Sequence, residues 1–257
     1  MSTFQNIRLR FNIGILSALA FAGLTGLGAL LVIPLPFTPV PITGQTFVVL
    51  LSGFLLGRKY GPLSQAFYLI LGFLGVPWFA GGSSGLSVIY GATGGYLIGF
   101  IIASYTLGYI TDLSKQTRTP VIILFLSALG TIIIYLFGVT GLMLATPYGL
   151  WKSLLLGFFP FLPGDILKMV LVFLTAFVLL PKEESQVDTG ISTGRRNKIL
   201  GLSLLVSIVS TAVFVSYLLS AGTTPPLDLA AFSLLTTLLV LPSLTYILRS
   251  EFLVPDL

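Results

Sequence analysis

Between Arg10 and Arg58 the chain carries no charged residue, and the same holds from Lys59 to Asp112, from Arg118 to Lys152 and from Lys198 to Asp228. Apolar stretches of that length cannot all be hidden in a water-soluble fold, because too little charged surface remains to cover them. Only 8% of the 257 residues are charged and 55% are hydrophobic, whereas a soluble domain carries about 25% charged residues. Lipid is therefore the solvent for most of this chain. A crossing needs roughly 20 mostly apolar residues in a helix, since every backbone N–H and C=O must be satisfied within the segment.

The first two gaps are each long enough for two crossings, and clusters of Gly and Pro mark the loops between them. The pattern predicts eight helices, at about 12–33, 44–57, 62–77, 94–111, 120–144, 163–180, 199–220 and 229–248. The expected fold is all-α, a polytopic membrane helix bundle. Residues 1–180 form a six-helix body, 181–198 (PKEESQVDTGISTGRRNK) a polar cytoplasmic linker, and 199–257 a two-helix extension. The alternation of a membrane β-barrel is absent. The first apolar stretch follows Arg8 and Arg10 but runs past a signal-peptide core to Pro34, so it reads as a retained helix.

Basic residues orient the bundle. With the N-terminus in the cytoplasm, eleven of the thirteen Lys and Arg fall on inner segments, leaving only Lys152 and Lys168. Positive loops stay cytoplasmic during insertion, so a multi-pass protein of the cell membrane with both termini in the cytoplasm is expected. Shifting the helix count by one breaks this agreement. The net charge of +5 is thus a topology signal and not a nucleic-acid footprint. On the opposite side, Ile33 to Thr43 reads IPLPFTPVPIT and Val76 to Thr93 reads VPWFAGGSSGLSVIYGAT, both without charge. Proline fixes φ and lowers the entropy of the free loop, so these segments suit ordered lids as well as plain rim packing.

One charged pair stands inside an apolar span. In FFPFLPGDILKMVLVFL, Pro163 and Gly164 suit a helix start, Asp165 falls in the first turn, where the helix dipole favours its charge, and Lys168 follows at i+3 on the same face. Charges within a bilayer are costly and face a cavity or a partner. The pair is either a self-neutralising structural lock or a polar anchor for a small ligand. An acceptor beside a donor matches a ureido, amide or carboxylate group. Trp78, Phe79, Tyr90 and Tyr96 are aromatic candidates to enclose an apolar remainder.

Several chemistries are excluded. Cys and His are absent, which removes disulfides, Cys/His metal sites and catalysis by those groups. No Gly is followed by Lys, so there is no phosphate-binding P-loop, and energy from ATP would need separate subunits. Gly164-Asp165 is half of the Gly-x-Gly-Asp motif of membrane aspartyl proteases, but position 162 is Leu and no second transmembrane Asp completes a dyad. An ion-coupled carrier would have one buried acid and one buried base as its relay. A purely structural membrane protein has no need of the pair. Binding rather than catalysis is expected, with no cofactor.

Three stretches carry a resemblance: PLPFTPVPITGQT from Pro34, continuing to LLSGFLLGRKYGPLSQAFYLILGFLGVPWFAGG; GATGGYLIGF from Gly91; and PFLPGDILK from Pro160. In order and placement over about residues 10–180 they resemble BioY, the biotin-specific S-component family of energy-coupling-factor transporters. The resemblance implies a six-helix domain that binds biotin from outside, with the proline loop and the 76–93 loop closing over it. By likeness, Asp165 and Lys168 are the polar ligand pair. Thr43, Gln45, Phe79, Ser83, Tyr90 and Tyr96 are the other substrate-binding candidates. The implied partners are a transmembrane coupling subunit and a pair of ATPase subunits, although some family members have been proposed to act alone. Ala18, Ala22 and Gly26, at small-xxx-small spacing on the first helix, are the candidate coupling contacts, with ordinary packing inside the bundle as the alternative. Ala92 departs from the Pro usual in the family's Gly-Pro-Thr-Gly-Gly-Tyr, and the likeness does not extend to 181–257. S-components for thiamine, riboflavin or a metal ion are the nearest rivals, and the missing His disfavours the last.

Overall fold

The computed structural model describes residues 2–113 and 119–179. The linker expected over 181–198 and the helices expected over 199–220 and 229–248 lie outside them. Helix α1, Ser2–Leu30, contains the apolar stretch Asn12–Leu30. It stops short of 33 because Val32–Ile33 (β1) turns into an antiparallel two-residue ribbon with Ile42–Thr43 (β2), in the register Val32 to Thr43. That ribbon closes the proline loop 34–41, in which four missing or fixed backbone positions rule out a helix. The loop is tied down at Thr38, whose Oγ1 donates to the Leu156 carbonyl at 2.6 Å.

Helix α2, Gln45–Phe73, consists of two helical arms that reverse direction at Gly57, where the backbone is not helical (φ +72°, ψ −172°). Two hydrogen bonds give the geometry: Gln65 Nε2 reaches Ser52 Oγ at 3.2 Å and Gln45 Nε2 reaches the Tyr68 hydroxyl at 2.9 Å. In a straight helix those pairs would stand about 20 and 34 Å apart. The two arms, 45–56 and 58–73, therefore lie side by side. The reversal needs a residue that accepts positive φ, and a Cβ on Gly57 would also stand 2.5 Å from the Asp112 carboxylate. That carboxylate accepts the Arg58 backbone N–H at 2.8 Å, capping the second arm.

Helix α3, Gly94–Leu113, packs on α2 and on helix α4, Pro120–Ala145. Gly95 and Gly141 let α3 and α4 meet backbone to backbone: a Cβ on Gly95 would lie 2.8 Å from the Gly141 Cα. After α4 come a short helix α5, Leu150–Gly157, a 3₁₀ turn at Phe159–Phe161, and helix α6, Leu162–Leu179. Among the described residues four stretches are long and apolar enough to cross a membrane: Asn12–Leu30, Gly94–Leu113, Val121–Ala145 and Leu150–Ala176. The protein is a mostly helical membrane protein. The two arms of α2 stand where separate helices are expected at 44–57 and 62–77, the second arm beginning and ending about four residues earlier. One expectation is corrected: α5 forms in a segment read as loop.

The interior is not purely apolar. Gln65 also donates to Ser64 Oγ at 3.0 Å, Thr25 Oγ1 donates to Gln65 Oε1 at 3.3 Å, and Ser52 and Ser104 share a 2.9 Å bond. This buried set joins α1, both arms of α2, and α3. In lipid such groups must find partners within the protein. The small residues of α1 belong to the same packing. Ala18 and Ala22 are fully buried, and a Cβ on Gly26 would stand 2.8 Å from the Trp78 ring. These three residues, the candidate coupling contacts, let α1 approach its own neighbours closely.

Candidate binding site

A pocket opens where the ribbon, the start of α2, the 79–93 segment and helices α3, α4 and α6 converge. Its polar focus is built by α6. Leu162 to Gly164 start that helix, Asp165 occupies the first turn and Lys168 the same face one turn on. Asp165 is 2% exposed and Lys168 15%, with Lys168 Nζ to Asp165 Oδ1 at 2.8 Å. The other carboxylate oxygen, Oδ2, accepts a short bond from the Tyr135 hydroxyl on α4. Tyr135 is held edge-on by the Tyr96 and Phe158 rings, at 6.1 and 4.9 Å, and Tyr96 in turn donates to the Gly157 carbonyl at 2.7 Å.

The hydrogen-bond inventory of this focus is instructive. An ionised carboxylate has about four acceptor sites and an ammonium three donors. Lys168 spends one donor on Asp165, and Asp165 spends one acceptor on Lys168 and one on Tyr135. Each partner keeps unspent capacity, directed donors and acceptors side by side on the cavity wall. The lining also carries Thr43 and Gln45, joined by a 2.9 Å bond from Thr43 Oγ1 to Gln45 Oε1. Much of the remaining lining is apolar and aromatic, including Phe79, Phe100 and Phe161. A mostly apolar pocket with few convergent polar groups is the usual form of a small-molecule site.

Of the eight substrate-binding candidates, Thr43, Gln45, Phe79, Tyr96, Asp165 and Lys168 line this cavity. Ser83 and Tyr90 do not. Ser83 is exposed, with its hydroxyl turned back to the Ala80 carbonyl at 3.0 Å, and Tyr90 is 80% exposed. Trp78 packs on Tyr68 instead, its Nε1 donating to the Tyr68 carbonyl at 3.0 Å. Sequence reasoning missed Tyr135, Phe161 and Thr46. Tyr135 sits in an uninterrupted apolar helix with no local signal, whereas Phe161 lies within PFLPGD and its nearness to the charged pair offered one.

Fold and site together define a helical membrane protein with a pocket lined by a buried ion pair, neutral polar groups and aromatic rings. The family model of the BioY family matches residues 5–183. The chain belongs to the BioY family. It is 39% identical over 159 residues to the biotin transporter BioY of Thermotoga maritima, covering 62% of this chain and 90% of that one. It is 43% identical over 140 residues to the probable biotin transporter BioY of Methanothermobacter thermautotrophicus, covering 52% and 89%. Among solved structures it is similar to the S-component for biotin from an ECF-type ABC transporter. That likeness has a TM-score of 0.58 and 28% identity, over 68% of this chain and 90% of that one.

Proposed function

We propose that this chain is the substrate-capturing membrane subunit of a biotin uptake transporter, taking biotin from outside the cell for import. The observation that carries it is the placement of Asp165 and Lys168, a buried ion pair with unspent hydrogen-bonding capacity, in the wall of a chamber on a BioY-family chain. A structural lock needs no hollow beside it. Biotin offers a ureido group with two N–H donors and one carbonyl, an apolar bicycle and chain, and a carboxylate. One polar end meets Asp165 and Lys168, the other meets the Thr43–Gln45 wall, and Phe79, Tyr96 and Phe161 enclose what lies between.

The function is binding and reorientation, not catalysis. The proline loop and the 76–93 segment form the outer cover, and the Thr38 bond to Leu156 holds that cover to α5 in the closed arrangement. The bundle is a six-helix body over 1–180, with the folded-back α2 supplying the second and third helices. A cytoplasmic linker over 181–198 and two further helices over 199–257 follow, with both termini in the cytoplasm of a cell-membrane protein. The chain has no nucleotide-binding motif, so import driven by ATP requires a transmembrane coupling subunit and ATPase subunits. Accumulation of labelled biotin in a host lacking its own uptake tests this function. Uptake that appears with the chain, and rises when ATPase and coupling subunits are added, is the expected result. No uptake under either condition contradicts it.

A further inference from the structure

Tyr68 does not touch the cavity: it is 0% exposed and buried in the second arm of α2. Its ring is gripped by Trp78 at 5.4 Å and by Phe79, edge-on, at 5.3 Å. Its hydroxyl sits between two groups, the Trp78 carbonyl at 3.2 Å and Gln45 Nε2 at 2.9 Å. A carbonyl can only accept, so the hydroxyl proton goes to Trp78. The hydroxyl oxygen is then left to accept, and Gln45 must present its NH₂ group to it. The amide oxygen is thereby turned to Thr43, whose Oγ1 donates at 2.9 Å. The direction of every bond in this chain follows from the one group that has no proton to give.

We infer that Tyr68 is a positioning residue for the ligand, acting through Gln45: its hydroxyl fixes which end of the cavity-lining amide is donor and which is acceptor. Gln45 keeps one N–H and one lone pair unspent, in places set by Tyr68 and Thr43. Without the hydroxyl, the amide turns over at little cost and its donor and acceptor exchange places. A ligand group matched to one orientation then meets its opposite for part of the time. The same hydroxyl is bonded to the segment that carries Phe79 into the cavity wall. One buried group thus sets a polar contact and an apolar wall together.

This rests on the biotin-binding function proposed above, and a double-mutant cycle on equilibrium biotin binding by the purified full chain separates the two. Tyr68→Phe keeps the ring contacts, and Gln45→Met keeps the shape of the amide side chain while removing its polarity. With Gln45 present, Tyr68→Phe weakens biotin binding about 5- to 10-fold, the worth of one oriented hydrogen bond. In the Gln45→Met background the same substitution changes binding less than about 2-fold, because residues that act as a unit are not additive. Titration to millimolar biotin keeps the weaker variants in range, and the ligand-free melting temperature reports any loss of packing, which is the same in both backgrounds. An equal factor in both backgrounds, or no effect in either, overturns the role assigned to Tyr68 while leaving biotin binding intact. A parent chain that does not bind biotin overturns both.

Discussion

Tyr135 on α4 and Asp165 on α6 are thirty residues apart in sequence, yet the tyrosine hydroxyl donates directly to Asp165 Oδ2 while Lys168 holds Oδ1 at 2.8 Å. The carboxylate is clamped between its own helix and α4. Preorganised polar groups lose little entropy on binding, which favours tight capture of a scarce solute. The clamp also states what must be disturbed to lose it.

Tyr135→Phe removes one hydrogen bond to a charged acceptor and keeps the ring contacts with Tyr96 and Phe158. Biotin binding weakens by about tenfold, while the protein remains folded in detergent. Isothermal titration beside a thermal melt measures both.

Lys168→Met and Asp165→Asn differ in what they leave behind. Lys168→Met strands a carboxylate that is 2% exposed, so it lowers unfolding stability by about 2–3 kcal/mol. Asp165→Asn leaves a lysine that still has a path to water at 15% exposure, and it costs less. The double variant Asp165→Asn/Lys168→Met is more stable than Lys168→Met alone. Thermal unfolding without ligand ranks the three.

The fold could be read in the sequence wherever lipid imposed a rule. Charge-free runs predict α3 and α4 almost to the residue, and Pro163-Gly164-Asp165 marks the start of α6 to within one residue. The reversal in α2 is legible too, because the first of the two expected helices ends at Gly57, but a turn made by one glycine leaves no loop, so the second arm starts at 58 and not at the expected 62. Helix α5 is not legible because a segment of eight residues that follows Gly149 and ends on Gly157 looks like a connection. In the site, charged residues announce themselves in an apolar span, while Tyr135 and Phe161 do not. In the small residues of α1 the spacing licenses close helix approach, and Trp78 packs against Gly26 within the bundle.

Thr38→Val deletes the one side-chain bond from the proline loop to α5, at 2.6 Å, and keeps the β-branched shape. Release of bound biotin speeds up by about 3- to 10-fold, with a smaller change in the association rate. Stopped-flow exchange against unlabelled biotin resolves the two rates.

Gly57→Ala places a Cβ where φ is +72° and the Asp112 carboxylate is 2.5 Å away. The variant loses about 1–3 kcal/mol of stability from backbone strain alone, and a further loss follows if Asp112 releases the Arg58 N–H. Biotin affinity in the folded fraction stays within about 2-fold, because the turn is remote from the cavity lining. A melt and a binding isotherm on the same preparation check both parts.

Equilibrium binding of labelled biotin to the purified chain, beside Asp165→Asn and Lys168→Ala, puts the function of the buried pair to its hardest test. The expected result is saturable binding by the parent, competed by unlabelled biotin and not by thiamine or riboflavin. Both variants bind at least about 100-fold more weakly, a loss of about 2.8 kcal/mol. A parent chain without binding, or variants that bind as the parent does, would contradict the claim that these two charges are held in lipid for the sake of a vitamin.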